Sequence, residues 1–404
     1  MAGDATFNNV FAKVPFTGIG LKPSLGSVLG FVSGLIIMAI VSAIMVKDLG
    51  EEKESLRKEV DFMRNTLNRI TKIAPLRLLV DKNGIQIGTC VSSSHLADRD
   101  YVETLTREFS VVTTENELKF EIVHPSPNSY VFEPADRIIS VAEAHGMKVR
   151  GHTLVWHAQL PSWIVNGNFA KEEWKSILRE HILTVVGRYR GRIWAWDVVN
   201  EAVDDTGSLR DTVWLKNIGP EYIELAFRWA HEADPGALLF YNDYGIEEVN
   251  AKSNAVYNLV KELLERGVPI HGVGFQMHVS LDNPPNPKKV AENIKRFTDL
   301  GLQVHITEMD VRIRLPATID ELIRQAQVYR EILEVCLNSE NCTAFVMWGF
   351  TDKYSWIPYA FPGYGAALIF DENYLPKPAY YALWETLFSR AIRNSPARTE
   401  TTGS

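Results

Sequence analysis

Residues 193–201 read IWAWDVVNE, an apolar run of β-forming residues that ends in an amide and a carboxylate. Residues 303–308, QVHITE, end in a glutamate in the same way. Short apolar runs of this kind predict buried strands. In a barrel of parallel strands the chemistry lies at the carboxyl ends of the strands, so we expect Glu201 and Glu308 to face one mouth.

On both sides of these runs, β-rich segments alternate with longer amphipathic segments, as βα units do around a parallel sheet. The predicted strands are Gly84–Cys90, Ser110–Thr114, Lys148–Gly151, Ile193–Val199, Leu238–Tyr241, Gly272–Gln276, Gln303–Thr307 and Ala344–Trp348. The predicted helices include Arg137–His145, Glu172–Tyr189, Glu221–Ala233, Ser253–Arg266, Pro287–Leu300 and Ile319–Leu337. Eight units in about 310 residues predict an α/β fold of the (β/α)8 barrel type over residues 76–390. A doubly wound sheet would usually carry a glycine-rich turn after its first strand, and Gly88-Thr89-Cys90 is not one.

The chain before the barrel divides into predicted segments, beginning with a tail at 1–26. Residues 27–46 belong to a run from Ser24 to Val46 that contains no charged residue. As a helix this run would be about 35 Å long, enough for the roughly 30 Å hydrocarbon core of a bilayer. We therefore expect a transmembrane anchor at 27–46. A signal peptide cleaved after Ala43 and a buried core helix are the alternatives.

Residues 47–75 are predicted to form a helical stalk, which Pro75 ends. Apolar residues recur there every seven positions, as in a coiled coil, at Leu49, Leu56, Met63 and Ile70. Such a stalk could self-associate, and a solvated single helix is the alternative. Residues 391–404 are predicted to be a flexible tail.

The net charge narrows the choice of partners. Lys and Arg number 42 against 50 Asp and Glu, which gives a formal charge of −8. Nucleic-acid binders present a basic surface, so no nucleic-acid partner is expected. The hydrophobic fraction of 46% is that of a folded protein with a large core, which excludes general disorder.

The pair of strand-end glutamates suggests a chemistry. Either one alone is more often a helix cap or a salt-bridge partner. Cleavage of a glycosidic bond, however, needs one carboxyl group to protonate the leaving oxygen and a second to attack or to activate water. The surroundings must keep one group protonated and the other ionised.

Eight segments, most of them at the predicted strand ends, match the motifs of one known family. They are ENELK (115–119), RGHTLVWH (150–157), WDVVNEA (196–202), YNDY (241–244), GFQMH (274–278), ITEMD (306–310), WGFTDKYSW (348–356) and FPGYGAALIFDENYLPKPAYYAL (361–383). Their order and content resemble glycoside hydrolase family 10, the endo-β-1,4-xylanases. The resemblance runs from about Gly84 to Phe388.

The resemblance implies that Glu201 is the acid/base and Glu308 the nucleophile of a retaining double displacement, with the two carboxyl groups about 5–5.5 Å apart. It implies that Asn200 hydrogen-bonds the sugar 2-hydroxyl. It also implies that His278 holds Glu308 and that Asp310 orients His278 in turn.

The resemblance also implies a set of sugar-binding residues. Those on the non-reducing side would be Glu115, Asn116, Lys119, His152 and Trp156, with Trp348 and Trp356 over the central sugar. Gln276 is expected near the acid/base, and the supporting positions are Asn242 and Tyr244. Aromatic faces suit the apolar faces of a pyranose. Trp194, Trp196 and Trp384 are expected in the core.

Three positions depart from the family pattern. Phe120 stands where the family usually has Trp, His124 precedes Pro125 where an acidic residue is usual, and Met277 replaces a common small residue. These departures leave both glutamates in place and are expected to affect the shape of the non-reducing sugar sites.

The family often carries a disulfide where this chain has Cys336 and Cys342. The resemblance therefore implies a bridge between them, and two free thiols are the alternative. An oxidised pair suits an exporting compartment. Cys90, within an apolar run, is expected to be buried. His152 and His157 are not spaced like paired zinc ligands on one helix face, so no metal and no cofactor are expected.

The function expected from these residues is endo-hydrolysis of β-1,4-linked xylan, with xylan or xylo-oligosaccharide as partner. A retaining β-1,4-glucanase or mixed-linkage glucanase, and a non-catalytic polysaccharide-binding protein, are the alternatives. We expect the barrel to be anchored outside the cytoplasm by residues 27–46, or secreted if 1–43 are removed. The count of Lys and Arg around the span favours the opposite orientation.

Overall fold

The computed structural model describes residues 74–80 and 82–394. The predicted tail at 1–26, the membrane anchor at 27–46 and the stalk up to residue 73 lie outside the described residues. Within the described ranges, no helix has both the length and the apolar composition needed to cross a bilayer.

Eight parallel strands close into a barrel, as the sequence predicts. They are β1 (Gln86–Val91), β2 (Val111–Thr114), β3 (Lys148–Val155), β4 (Ala195–Asn200), β5 (Leu238–Asp243), β6 (Gly272–Phe275), β8 (Gln303–Arg314) and β9 (Cys342–Met347). Each strand pairs with the next one in this order, and β9 closes the barrel by pairing with β1, where Gln86 lies opposite Ala344.

Two short strands that the sequence analysis did not predict extend the sheet at the mouth. They are β7 (His278–Ser280), parallel to β8, and β10 (Tyr364–Gly365), antiparallel to β8. The strand β8 continues to Arg314, beyond the predicted end at Thr307, because these two strands pair with its extension. Residues of β8 beyond Glu308 therefore stand above the barrel rim.

Helices pack around the strands. They are α1 (Leu76–Val80), α2 (Arg99–Glu108), α3 (Phe120–Val123), α4 (Glu133–Ala144), α5 (Ser162–Val165), α6 (Lys171–Arg188), α7 (Val213–Ile218), α8 (Glu221–Ala233), α9 (Ala251–Glu265), α10 (Pro287–Thr298), α11 (Ile319–Asn338), α12 (Ile357–Ala360) and α13 (Pro378–Arg393). Capping side chains fix several N-termini, since they accept hydrogen bonds from free backbone amides, and they are Asp98, Thr212, Asn250, Asn286 and Thr318.

The last helix passes the predicted end of the barrel domain at residue 390. Ala391 and Ile392 are buried with Leu387 and Phe388 on one face of α13. Helix α13 packs on α1, where the indole of Trp384 donates to the carbonyl of Ala74. Residues 391–393, expected in a flexible tail, thus continue the helix, and Ala391 and Ile392 belong to the core.

A buried ion pair lies inside the barrel. Arg150 on β3 and Asp197 on β4 are both 1% exposed, and two guanidinium nitrogens of Arg150 donate to the carboxylate of Asp197. A third nitrogen of Arg150 lies 2.9 Å from Nδ1 of His305 on β8. Because an unpaired buried charge is costly, this pairing locks β3 to β4 below the mouth.

The predicted disulfide joins Cys336, near the end of α11, to Cys342, at the start of β9, with 5.1 Å between the Cα atoms. Cys90 is buried and unbridged. Trp196 and Trp384 lie in the core as expected, whereas Trp194 is only partly buried and stacks on His305.

Candidate functional site

A cavity of about 710 Å³ opens at the carboxyl ends of the strands. Its size is that of a small-molecule or oligosaccharide site. Its wall contains Glu201, Glu308 and every sugar-binding residue expected from the sequence, together with others. The full wall is Glu115, Asn116, Lys119, His152, Trp156, Gln159, Asn200, Glu201, Tyr244, Gly245, Glu247, Gln276, His278, Glu308, Arg312, Trp348, Trp356 and Phe361.

Glu201 follows the last residue of β4 and has a positive φ of 56°. Its backbone amide donates to the carbonyl of Asn242 at 2.9 Å, which holds this unusual conformation. One carboxylate oxygen accepts from Gln276 at 3.0 Å and from Asn200 at 3.2 Å, and the other accepts from the indole of Trp156 at 2.9 Å. The carboxylate is therefore aimed into the cavity by three donors.

Glu308 lies within β8, and its backbone amide donates to the carbonyl of Gln276. Its Oε1 accepts from Nδ2 of Asn242 at 2.7 Å, and its Oε2 lies 3.2 Å from Nε2 of His278. Burial alone would raise the pKa of Glu308, but electrostatic attraction to His152 and the hydrogen bond from His278 outweigh it and lower that pKa. Glu308 is thus held as a carboxylate.

His278 links Glu308 to Asp310. Its Nδ1 lies 2.8 Å from Oδ2 of Asp310, and the indole of Trp356 donates to the same oxygen at 2.8 Å. Burial opposes the charged imidazole, but Asp310 and Glu308 raise the pKa of His278 to about 10. The protonated ring donates from both nitrogens, so it orients Glu308 and favours its ionised form.

A chain of amides connects the two glutamates. Oδ1 of Asn200 accepts from Asn242 at 2.9 Å and from Gln276 at 3.2 Å. Asn242 and Gln276 then donate to Glu308 and Glu201, respectively. The side chains come from the ends of β4, β5 and β6, so the barrel closure sets the relative positions of the carboxylates.

One side of the cavity is formed by residues that follow β2 and β3. Lys119 donates to Asn116 at 3.0 Å and lies 5.0 Å from the ring centre of Trp156. Gln159 also donates to Asn116, at 3.2 Å. Burial and the nearby charge of Glu117 raise the pKa of Glu115 to about 7. This side presents both donors and acceptors, as recognition of sugar hydroxyls requires.

His152 and the tryptophans form the floor and roof. Nδ1 of His152 lies 3.0 Å from Asp197, so the buried pair below the mouth also fixes His152. The ring of Trp348 meets His152 edge to face, with 5.1 Å between ring centres, and Trp356 meets His278 in the same way at 4.9 Å.

Tyr244, expected only in a supporting position, lies in the cavity wall. It is held from behind, because Arg210 donates to its hydroxyl at 3.0 Å and Nζ of Lys252 lies 3.3 Å from its ring centre. Asn242 and Asp310, by contrast, are fully buried and act through Glu308 and His278. The difference is one of depth, since Asn242 lies within β5 whereas Tyr244 follows its last residue, Asp243.

Five wall residues were not predicted from the sequence, and they are Gln159, Gly245, Glu247, Arg312 and Phe361. Arg312 had a usable signal, because strand residues two apart share a face and Glu308, Asp310 and Arg312 follow that period. Glu247 and Phe361 come from loops whose path only the folded chain defines.

The positions that depart from the family pattern lie outside the cavity wall. Phe120 stacks on His181, with 3.8 Å between ring centres, and His124 stacks on Tyr130 at 4.1 Å. Met277 is fully buried. We expected these three residues to shape the sugar sites, but none of their side chains lines the cavity.

Among the described residues, no group of three His, Cys, Asp or Glu side chains is placed to hold a metal ion. His157, which had suggested a ligand, places Nδ1 3.8 Å from Oε2 of Glu201.

The match with known proteins covers the barrel. The model of the family "Glycosyl hydrolase family 10" matches residues 75–386. Endo-1,4-beta-xylanase B of Thermotoga neapolitana is 50% identical over 317 residues, which are 78% of this chain and 91% of that protein. Beta-1,4-xylanase of Dictyoglomus thermophilum is 44% identical over 320 residues, covering 75% of this chain and 89% of that protein.

Solved structures agree with the barrel. Native xylanase 10B from Thermotoga maritima superposes with a TM-score of 0.77 at 51% identity, covering 79% of this chain and 100% of that one. Xylanase 10B from Thermotoga petrophila, solved with xylobiose, gives a TM-score of 0.77 at 51% identity, covering 79% of this chain and 98% of that one.

Proposed function

The chain belongs to glycosyl hydrolase family 10, and we propose that Glu201 and Glu308 hydrolyse internal β-1,4 linkages of xylan with retention of configuration. The observation that carries this assignment is one chain of amides between two carboxylates at one barrel mouth, with Gln276 on Glu201 and Asn242 on Glu308. Two carboxyl groups facing one bond are what glycoside hydrolysis requires.

In the first step Glu308 attacks the anomeric carbon of the sugar. Glu201, in its protonated form, gives its proton to the glycosidic oxygen as the carbon–oxygen bond breaks, and the leaving sugar departs as an alcohol. The product is a glycosyl ester on Glu308, with the configuration inverted once. The hydrogen bonds from Asn242 and His278 position Glu308 for this attack.

In the second step Glu201, now a carboxylate, takes a proton from water as the water oxygen attacks the anomeric carbon. The ester bond to Glu308 breaks, and the second inversion restores the original configuration. Asn200, which lies in the wall between the carboxylates, is assigned to the sugar 2-hydroxyl, where a hydrogen bond strengthens as positive charge develops on the ring.

The rest of the wall suits a neutral sugar chain. Trp156, Trp348 and Trp356 supply faces for pyranose rings, while Glu115, Asn116, Lys119 and His152 supply hydrogen-bonding groups. Related xylanases were solved with xylobiose and with xylotetraose. These similarities support xylo-oligosaccharides as the ligands of this cavity.

The direct test is release of reducing ends from xylan by the full chain, with the configuration of the first product followed by NMR. Glu308→Ala is expected to abolish turnover, and Glu201→Ala to lower it by at least about 100-fold. Glu103→Gln, an exposed position on α2, is the matched control and should keep full activity. Full activity of Glu308→Ala would contradict the nucleophile assignment.

The preference for xylose over glucose is tested with matched leaving groups. Aryl xylobioside should be cleaved faster than aryl cellobioside if the cavity is shaped for a sugar without the hydroxymethyl group. Faster cleavage of the cellobioside would assign the barrel to a glucanase. Binding without turnover of either compound would make the chain a polysaccharide-binding protein.

The proposal also places the barrel outside the cytoplasm, anchored through residues 27–46 or released by cleavage after Ala43. The disulfide between Cys336 and Cys342 and a polymeric substrate both support an exporting compartment. Protease treatment of intact cells should degrade the barrel, and protection from protease would favour the orientation that the lysine and arginine count predicts. Sedimentation of the full chain tests self-association through residues 47–75.

A further inference from the structure

The cavity wall contains the cation Arg312. Arg312 is half-buried on the extension of β8, and within residues 74–80 and 82–394 no acidic side chain forms a salt bridge with it. Arg314, two residues further on the same strand, is by contrast 3.6 Å from Asp282 and donates to the hydroxyl of Tyr364 at 2.8 Å. Two arginines of the same strand thus differ. Arg314 has an acidic partner, whereas Arg312 has none among the described residues.

The guanidinium of Arg312 is nevertheless fixed in place. It lies 4.1 Å from the ring centre of Phe361, which also lines the cavity, and 5.9 Å from that of Tyr364. Stacking on an aromatic face orients the plane of the guanidinium while leaving its N–H groups unused. A preorganised guanidinium of this kind matches the two oxygens of a carboxylate.

An acidic residue of the same wall, Glu247, does not supply that carboxylate. Glu247 lies in the same wall, but its Oε1 accepts from the backbone amides of Met277 at 3.0 Å and Gly245 at 3.3 Å. Burial raises the pKa of Glu247. The backbone hydrogen bonds and the charge of His278 lower that pKa, but they offset only part of the effect of burial. Glu247 therefore accepts hydrogen bonds from the backbone around it, including the loop after β5, and forms no salt bridge with Arg312. The guanidinium of Arg312 remains available to a ligand.

Arg312 belongs to a different part of the cavity wall from the residues assigned to the non-reducing side. Glu115 and Lys119 follow β2, whereas Arg312 extends β8 and neighbours β7, where Ser280 is its register partner. On β8 itself, Glu308 comes four residues before Arg312, which is about 13 Å along the strand. With the non-reducing side assigned to residues that follow β2 and β3, the wall at β7 and β8 remains for the departing chain, and Arg312 belongs to that part of the wall.

We propose that Arg312 binds the carboxylate of a uronic acid branch on the leaving-group part of a substituted xylan. This inference rests on the proposed function, because it takes the direction of the sugar chain from the roles of Glu201 and Glu308. Arg312 is accordingly a specificity residue that distinguishes an acidic branch from an unsubstituted chain.

The test compares two oligosaccharides of the same backbone length, one unsubstituted and one carrying a single glucuronic acid branch. The measured quantity is the ratio of kcat/KM for the branched over the unsubstituted compound. Arg312→Gln should lower this ratio about tenfold, the range expected for one hydrogen-bonded charge pair. Arg312→Lys keeps the charge and should retain part of the preference, whereas Arg314→Gln, the matched control, should leave the ratio unchanged.

Ionic strength supplies a second readout. The preference of the unmutated chain for the branched compound should fall as salt rises, because the attraction is between a partly exposed cation and a carboxylate. An equal loss of kcat/KM on both compounds in Arg312→Gln would mean that Arg312 only shapes the cavity, and an unchanged ratio would also overturn the proposal. A chain inactive on the unsubstituted compound would instead refute the proposed function itself.

Discussion

The side-chain amide of Asn242 donates a hydrogen bond of 2.7 Å to Oε1 of Glu308, and the same nitrogen lies 2.9 Å from Oδ1 of Asn200. Its own carbonyl oxygen accepts from Thr307 at 2.7 Å, which fixes the orientation of the amide. Asn242 is therefore the residue through which β5 positions the nucleophile on β8.

Replacement of Asn242 by alanine should lower kcat/KM on xylo-oligosaccharides about 10- to 100-fold. The reason is that Glu308 loses a hydrogen bond to a charged group, worth roughly 1.5–3 kcal/mol. Steady-state kinetics measure the loss, and Asn254→Ala, at an exposed position on α9, is the control. Kinetics of Asn242→Ala equal to those of the control would remove Asn242 from the positioning network.

Gly274 on β6 leaves the space that the amide of Asn242 occupies. A Cβ added there would lie 2.1 Å from Oδ1 of Asn242 and 2.8 Å from Cγ2 of Thr307. Gly274→Ala should therefore displace Asn242 and lower kcat at least as much as Asn242→Ala, and a crystal structure of the variant would show the displaced amide.

The control for this change is Gly187, an exposed glycine in α6 whose added Cβ would meet nothing within 4 Å. Gly187→Ala should raise the free energy of unfolding by about 0.5–1 kcal/mol, because alanine is the better helix former, with no change in kcat. Urea unfolding measures the gain. Equal kcat for the two glycine variants would show that Gly274 has no role in positioning.

The pH dependence of activity should report the contact between His278 and Glu308. Interactions with His152 and His278 lower the pKa of Glu308 despite its burial, so the acid limb of the kcat/KM profile should lie below the usual glutamate range. His278→Asn removes a positive charge and a donor to the carboxylate. The pKa of Glu308 then rises, and the acid limb should move to higher pH.

His145→Asn, at an exposed residue beyond the end of α4, provides the control for that profile and should not move it. A variant His278→Asn that lost activity equally at every pH would indicate a purely structural role for the imidazole.

The disulfide should contribute to stability without affecting catalysis. Cys336 and Cys342 lie at the amino-terminal end of β9, opposite the mouth, and the bridge closes a short loop. Replacing both by serine should cost about 2 kcal/mol from the lost constraint on the unfolded chain. For a domain of this size the corresponding drop in Tm is about 3 °C.

Calorimetry measures this drop, and kcat at 25 °C should be unchanged. Reductant should lower the Tm of the unmutated chain by the same amount and leave that of the double variant unaltered. An unmutated chain insensitive to reductant would show that the bridge is not formed in solution.

Local sequence patterns were sufficient to predict the barrel. Each barrel strand contains a short apolar run, and the longer helices were predicted as the segments between these runs, so neither prediction depends on distant contacts. Two predicted ends that differ from the structure are set by contacts with other parts of the chain. Strand β8 runs on to Arg314 because β7 and β10 pair with its extension, and α13 continues to Arg393 because Ala391 and Ile392 are buried.

The candidate site was predictable to the extent that its residues end strands or match the family segments. Glu201, Glu308, His278 and Asp310 were found in this way. Arg312 and Phe361 were not found, because the predicted strand ended at Thr307, before Arg312, and a phenylalanine in a loop is ordinary on its own. Two features of the folded chain indicate a role for them in the site. The guanidinium of Arg312 lies 4.1 Å from the ring centre of Phe361, and Arg312 has no acidic partner in the described part of the chain.

The amino-acid sequence by itself determined the fold class and the two strand-end glutamates, because strand periodicity and residue type are local properties, and its resemblance to the family implied the bridge between the two cysteines. Only the tertiary structure decided which donor holds which carboxylate, that Tyr244 lines the cavity, and that Arg312 lines it with no acidic partner among residues 74–80 and 82–394. The physical reason is that hydrogen bonds and ion pairs act over about 3–4 Å between residues far apart in sequence, and closure of the barrel alone brings them within that distance.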